Sequence, residues 1–101
     1  MKVIEVNEKS FEEEVIKCEK VLVDFNATWC GPCRMLKPII EEYSENTNIK
    51  VCSIDVDANE NIAREYNIYS IPCLILFENG KESKRNTGLI SLEEIKTFVG
   101  E

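Results

Sequence analysis

The alternation of apolar and polar segments along the chain predicts a regular succession of strands and helices. Short apolar runs that fit strands cover residues 3–6, 21–25, 49–56 and 73–77, and a polar strand follows at 81–87. Apolar side chains recur every three or four residues, the spacing of a helix, at residues 10–16, 35–43, 62–66 and 91–99. This order predicts an α/β fold, with a central mixed five-stranded sheet flanked by four helices.

Local signals indicate where three of the helices begin. Ser10 followed by Glu13, and Ser91 followed by Glu94, both fit a capping box, in which the two side chains bond each other's backbone N–H groups. Asn59 is the expected N-cap of the short third helix. The sequence therefore predicts two capping boxes and one simple cap.

Turn residues define the rest of the outline. Asn79-Gly80 predicts a type I′ hairpin turn between the last two strands. Residues 81–87 are polar and charged, as suits an edge strand. Pro38 lies inside the second helical pattern, where it predicts a kink.

The chemistry is expected at Cys30 and Cys33, which the strand 21–25 delivers to the start of a helix. Free N–H groups and the macrodipole at a helix N-terminus favour a thiolate over a thiol. We assign Cys30 as the attacking thiolate because we expect it nearer to solvent. Cys33, one turn later, is the expected resolving thiol, close enough for the two sulfurs to pair.

A metal site is the main alternative for two cysteines at this spacing. Such a site needs a second cysteine pair or a cysteine–histidine combination. The chain has no histidine, and its other cysteines stand alone at Cys18, Cys52 and Cys73. A redox function is therefore favoured, and we expect no metal.

The segment Trp29-Cys30-Gly31-Pro32-Cys33 resembles the active-site motif of the thioredoxin family. The similarity extends along the whole chain, in order and spacing, to Val23-Asp24-Phe25, Pro38, Ser70-Ile71-Pro72, Phe77-Glu78-Asn79-Gly80 and Gly88. The resemblance implies the thioredoxin fold in a single domain, residues 1–101. It also implies that the protein reduces disulfides in client proteins by dithiol exchange, without a cofactor, and is itself reduced by a thioredoxin reductase. Gly31-Pro32 is the dipeptide of the reducing members.

The same resemblance implies a docking surface around Cys30. Ile71-Pro72 matches a loop that carries a cis proline facing the cysteines. The chain before this proline can pair its backbone with an extended client segment, beside an apolar rim. The implied substrate-binding residues are Trp29, Gly31, Pro32, Ile71, Pro72 and Gly88.

Asp24 places a carboxyl group in an otherwise apolar strand. It is either an aspartate at a strand end that reaches water or caps a backbone group, or, as the resemblance implies, the catalytic proton acceptor for Cys33. If it is buried, its pKa should lie above the ordinary value. Two neighbours depart from the family pattern: Ser53 stands where many members have lysine, and Asn26 where an aromatic residue is usual.

The remaining cysteines are expected to be inert. Cys18 and Cys52 fit buried thiols in helix and strand contexts. Cys73 stands where relatives commonly have threonine, and strand alternation should turn it into the core. The alternative is a regulatory third thiol that exchanges with the active-site pair.

Composition agrees with this interpretation. The chain has 101 residues, 44% hydrophobic and 31% charged, as expected for one soluble domain. A net charge of −7 argues against nucleic acid and anionic membrane surfaces as partners. The acidic start does not fit a signal peptide, no apolar run is long enough for a membrane span, and five cysteines suit a reducing compartment. We therefore expect a cytoplasmic protein, and we also expect a monomer. A secreted oxidase or isomerase is disfavoured, since it would need an export signal and usually has another dipeptide between the cysteines. A non-catalytic binding module is disfavoured because it would not need both Cys30 and Cys33.

Overall fold

The computed structural model describes residues 2–101, which fold around one five-stranded sheet. The strands are β1 (Ile4–Glu5), β2 (Lys20–Asn26), β3 (Lys50–Asp55), β4 (Cys73–Glu78) and β5 (Lys81–Thr87). They lie in the spatial order β1-β3-β2-β4-β5, so the second strand along the chain lies in the centre. Strands β1, β3 and β2 are parallel, while β4 is antiparallel to β2 and β5 to β4.

Within residues 2–101, two α-helices and one π-helical segment connect strands, and a third α-helix follows the last strand. The helices are α1 (Gly31–Glu45), α2 (Glu60–Glu65) and α3 (Leu92–Val99), and the π-helical segment is Glu12–Ile16. The predicted α/β architecture, with a mixed sheet and four helical segments, is confirmed.

Strand β2 divides the core into two clusters because its side chains alternate between the faces of the sheet. Val23 and Phe25 pack on one face, in a cluster with Phe11 and Phe77. Leu22 packs on the other face, against side chains of α1 and α3. Asp24 has the same parity as Leu22, so it faces α1, the helix that begins at the two cysteines.

The capping box predicted at Ser10 and Glu13 is wrong. Asn7 caps this segment instead, since its side-chain oxygen accepts from the backbone N–H groups of Lys9 at 2.9 Å and Ser10 at 3.0 Å. Glu13 pairs with Lys17, one turn onward. Asn7 is the cap because its short side chain can accept hydrogen bonds from the N–H groups two and three residues later in the chain.

The second capping box and the hairpin turn are confirmed. Ser91 Oγ accepts from the N–H of Glu94 at 3.1 Å, and Glu94 Oε1 accepts from the N–H of Ser91 at 2.9 Å. Asn79 and Gly80 both have positive φ, 53° and 81°, as a type I′ turn requires. These short-range signals depend on neighbouring residues alone, which explains their accuracy.

Two other local predictions differ from the structure. Asn59 occupies the N-cap position of α2, but within residues 2–101 its side chain makes no capping bond. It bonds instead to the carbonyl of Asp55 and the N–H of Glu8. Met35, predicted on the apolar face of α1, is 63% exposed because the buried stripe of that helix runs through Leu36.

Candidate active site

Cys30 and Cys33 lie where the chain leaves the carboxyl end of β2 and enters α1. Cys30 is the N-cap residue of the helix, with extended backbone angles, and its sulfur accepts from the N–H of Cys33 at 3.2 Å. The two sulfurs form a disulfide across a Cα–Cα distance of 5.2 Å. A sulfur at an N-cap faces free N–H groups and the positive end of the helix dipole, so a thiolate at Cys30 is stabilised on reduction.

Solvent exposure does not distinguish the two cysteines. Cys30 is 4% exposed and Cys33 5%, because both pack in a small cluster with Ala27 and Ile71. The expectation that Cys30 lies nearer to solvent is therefore not met in the disulfide form. The N-cap hydrogen bond to the Cys30 sulfur is what separates their chemistry.

The loop before β4 lies directly beside the disulfide. The Ile71–Pro72 peptide bond is cis, and the carbonyl oxygen of Ile71 lies 3.8 Å from Cys30 Sγ. Gly88, at the end of β5, donates its N–H to the carbonyl of Pro72 at 2.8 Å. The fold thus places Ile71 against Cys30, with Pro72 next in the chain and Gly88 bonded to Pro72, although Cys30, Ile71 and Gly88 are far apart in the sequence.

Trp29 and Pro32 border the cysteines on the helix side. Trp29 is 66% exposed, and its indole N–H donates to Asp57 Oδ2 at 2.6 Å. Gly31 and Pro32 form the first turn of α1, and Pro32 is exposed. Asp57 was not among the residues predicted for the site, and its signal in the sequence is its place just after β3, at the same edge of the sheet as the cysteines.

Asp24 is buried in the middle of a strand. It is 4% exposed and pairs in register with Ser53 on β3 and Leu74 on β4, which rules out the strand-end interpretation. Its Oδ1 has no hydrogen-bond partner among residues 2–101. Burial raises the pKa of this carboxyl to about 7.

A cavity of about 520 Å³ joins Asp24 to Cys33. Register places Glu5, Ser53 and Asp24 side by side on three adjacent strands, so their side chains share one face of the sheet. The charge of Glu5 adds to the upward shift in the pKa of Asp24. The other charged residues that line the cavity are Arg34, Lys37, Glu41 and Asp55.

The two residues that depart from the family pattern contact each other. Asn26 donates from Nδ2 to Ser53 Oγ at 2.8 Å and to the backbone carbonyl of Asp24 at 3.0 Å. Neither side chain carries a charge, so the cavity wall beside Asp24 is polar and neutral at these two positions.

The other three cysteines lie outside the small cluster that surrounds the disulfide. Cys52 and Cys73 are buried in the cluster on the sheet face opposite Asp24, and burial raises the pKa of both thiols, that of Cys52 to about 12. Thiols held protonated in this way are poor nucleophiles. The prediction of a buried Cys18 is wrong: it is half-buried, with its sulfur 3.6 Å from Lys50 Nζ.

Two features of residues 2–101 concern metal binding and membrane spanning. No group of three or more histidine, cysteine, aspartate or glutamate side chains in this range could hold a metal ion. No helix in it is long and apolar enough to cross a membrane.

A cysteine pair that can be oxidised and reduced at the start of a helix, without rebuilding the chain, marks a thiol–disulfide oxidoreductase. The sequence profile of the Thioredoxin family matches residues 2–101. The chain therefore belongs to the thioredoxin family, as its motif indicated.

Individual relatives support this assignment. The chain is 51% identical to a thioredoxin of Rickettsia bellii, over 83% of each chain, and 41% identical to a thioredoxin of Buchnera aphidicola, over 99% of this chain and 95% of the relative. It is also 50% identical to part of a bifunctional thioredoxin reductase/thioredoxin of Mycobacterium leprae, over 84% of this chain and 19% of that protein. A solved mutant thioredoxin from Halobacterium salinarum has a TM-score of 0.91 and 33% identity, covering 97% of this chain and 88% of its own.

Proposed function

We propose that this protein reduces disulfides in client proteins by dithiol–disulfide exchange, and that a thioredoxin reductase reduces it in turn. One observation carries the proposal: the sulfur of Cys30, at a helix N-cap, lies 3.8 Å from the carbonyl of Ile71. A client segment that pairs with this backbone brings its own disulfide to the nucleophile.

The first step is attack by the Cys30 thiolate on one sulfur of the client disulfide. A new bond joins Cys30 to the client, the client's S–S bond breaks, and the second client sulfur leaves as a thiolate. Cys33 then loses its proton and attacks Cys30 Sγ. This step forms the Cys30–Cys33 disulfide, breaks the mixed disulfide and releases the client in its reduced form. Two electrons move from this protein to the client.

Asp24 accepts the proton that Cys33 loses. Its unpartnered Oδ1, its pKa of about 7 and the cavity it shares with Cys33 support this assignment. A carboxyl that titrates near neutral pH can both take up and release a proton under ordinary conditions. Since no short contact joins Asp24 to Cys33 directly, the proton crosses the cavity through water.

The docking surface comprises the rim around the disulfide. Ile71 and Pro72 supply backbone groups for an extended client segment, and Gly88 fixes their position through its bond to Pro72. Trp29, Gly31 and Pro32 supply the opposite side. With no Cβ at Gly31, the chain there stays open to an approaching client.

The remaining features of the proposal follow the family. Residues 1–101 act as one domain and a cytoplasmic monomer, with no cofactor of their own. A thioredoxin reductase is the expected electron donor, and the Mycobacterium leprae relative, named as both proteins in one chain, supports that pairing.

Insulin reduction tests the proposal. The protein is incubated with insulin, NADPH and a thioredoxin reductase, and NADPH oxidation and insulin precipitation are followed. A ferredoxin-dependent reductase is tried in parallel, and a Cys30→Ser, Cys33→Ser double variant is the control. We expect turnover that requires the cysteine pair. Dithiothreitol serves as a third electron donor. If the wild-type protein fails to reduce insulin with either reductase and also with dithiothreitol, the proposal is wrong.

A further inference from the structure

The loop of residues 67–72, between α2 and β4, is held at both ends by β5 and the glycine that follows it. At one end, the N–H of Gly88 bonds to the carbonyl of Pro72. At the other, the guanidinium of Arg85 donates to the carbonyls of Tyr66 at 2.7 Å and Asn67 at 3.3 Å, where α2 ends. Glu82 fixes that guanidinium through two further bonds, of 2.7 and 2.8 Å. The loop between these anchors therefore has a defined position.

Tyr69 lies inside this loop and is the most exposed large hydrophobic side chain described, at 88%. Its hydroxyl donates to Asn67 Oδ1 at 3.1 Å, and Asn67 itself has a left-handed φ of 54°. Arg85 holds the backbone of Asn67, and Asn67 holds the phenol. The chain of contacts thus directs an aromatic ring into solvent two residues before Ile71.

Trp29 and Tyr69 share one property on this surface. Each has its polar atom bonded to an acceptor of this chain, Asp57 for the indole and Asn67 for the phenol. What remains for a partner is the ring face, which carries negative π density and attracts cations. The net charge of −7 also favours positively charged partners.

We propose that Tyr69 is a specificity-determining residue, which selects client segments that carry lysine or arginine within two residues of the reacting cysteine. This inference rests on the proposed reduction of client disulfides. Cα atoms two residues apart are at most about 7 Å from each other, so Tyr69 lies within that distance of Ile71. When a client pairs with the backbone of Ile71, a lysine or arginine near its reacting cysteine is long enough to reach the exposed ring of Tyr69.

Two matched peptide disulfides test the inference. They are identical except for arginine or glutamine two residues from the cysteine, and kcat/KM is measured for each with wild-type protein and with Tyr69→Ser. The ratio of the arginine to the glutamine peptide should fall by about 2- to 5-fold in the variant, the range expected for an exposed cation–π contact. Any general attraction by the negative surface is the same in both proteins and cancels.

Two further variants sharpen the result. Tyr69→Phe keeps the ring and should retain most of the wild-type ratio. Ser83→Ala, on β5 but with its hydroxyl bonded to Glu78, should retain it fully. If Tyr69→Ser leaves the ratio unchanged while both peptides are reduced, the inference is wrong and the proposed function stands. If wild-type protein reduces neither peptide, the proposed function fails.

Discussion

Asn26 donates a hydrogen bond of 2.8 Å to Ser53 Oγ, and this contact forms the neutral wall beside the buried carboxyl of Asp24. Many family members are expected to have a lysine at the Ser53 position. Here no cation of β2 or β3 lines the Asp24 cavity, within the residues described. Burial is the largest influence and raises the pKa of Asp24, the side chain of Asn26 lowers it in part, and the charge of Glu5 raises it further.

Ser53→Lys should lower the pKa of Asp24 by about one unit or more, because a nearby positive charge favours the carboxylate. Carboxyl chemical shifts followed by NMR across the pH range would measure the midpoint. Ser53→Met is the control, with a side chain of comparable length and no charge. A midpoint that stays near 7 in the lysine variant would contradict the electrostatic account of this cavity.

Asp24→Asn should make the protein more stable at neutral and alkaline pH. The pKa of Asp24 is raised in the folded state from 3.8 to about 7. The group's favourable contribution is therefore complete below pH 4 and is lost as the pH rises through 7. One pKa unit corresponds to about 1.4 kcal/mol. The free energy of unfolding of the variant should therefore exceed that of the wild type by on the order of 4 kcal/mol at pH 8 and by under about 1 kcal/mol at pH 4.

Denaturant unfolding at these two pH values measures the effect of Asp24→Asn. The same variant should resolve the mixed disulfide more slowly, because Cys33 has lost its proton acceptor. Equal stability of variant and wild type at pH 8 would mean that Asp24 is better solvated than its burial indicates.

Serine variants separate the roles of the two active-site cysteines. Cys30→Ser should abolish disulfide reduction, because the nucleophile is gone. Cys33→Ser should accumulate a covalent adduct with clients, visible by mass spectrometry, because the mixed disulfide cannot be resolved. Faster alkylation of Cys33 than of Cys30 in the reduced protein would reverse the assignment.

Cys73→Thr should leave the rate of insulin reduction nearly unchanged. Cys73 packs on the sheet face opposite Asp24, and burial raises its thiol pKa, so it is neither positioned nor ionised for exchange. Mild oxidation should join only Cys30 and Cys33. Peptide mapping that links Cys73 to either of them, above background scrambling, would establish it as a regulatory thiol.

Ser91→Ala should destabilise the protein by about 1 kcal/mol, since it removes one half of a capping box that the structure contains. Glu94→Ala should show a smaller loss. The control is Glu13→Ala, at a residue that the sequence placed in the capping box at Ser10 and whose carboxylate pairs with the exposed Lys17 in the structure. A loss at Glu13 equal to that at Glu94 would show that a box forms there in solution.

Much of the fold was predictable from the sequence because its signals are short-range. The hairpin at Asn79-Gly80 and the cap at Ser91 each depend on residues a few positions apart. The box at Ser10 failed because Asn7 offered a competing acceptor nearby, and sequence spacing alone does not decide between two such side chains.

The site was predictable only in part. The strand context of Asp24 indicated burial, and the motif located the cysteines. The bond between Asn26 and Ser53 joins residues 27 positions apart and depends on strand register, which no local pattern specifies. The same is true of the bond from Arg85 to the carbonyl of Tyr66, because it joins β5 to the end of α2. Contacts of this kind become visible only when the sheet is assembled.

Pro38 gives α1 a mechanical property. Proline has no N–H, so the carbonyl of Arg34 lacks its helical donor at that turn. Beyond it, Ile40 and Tyr43 are fixed in the core. The first turn of α1 is thus joined to the buried part of the helix by one hydrogen bond fewer than a helix without proline would have. This turn, which carries Cys33, is therefore held less tightly to the buried part of the helix than it would be in a helix with every bond made.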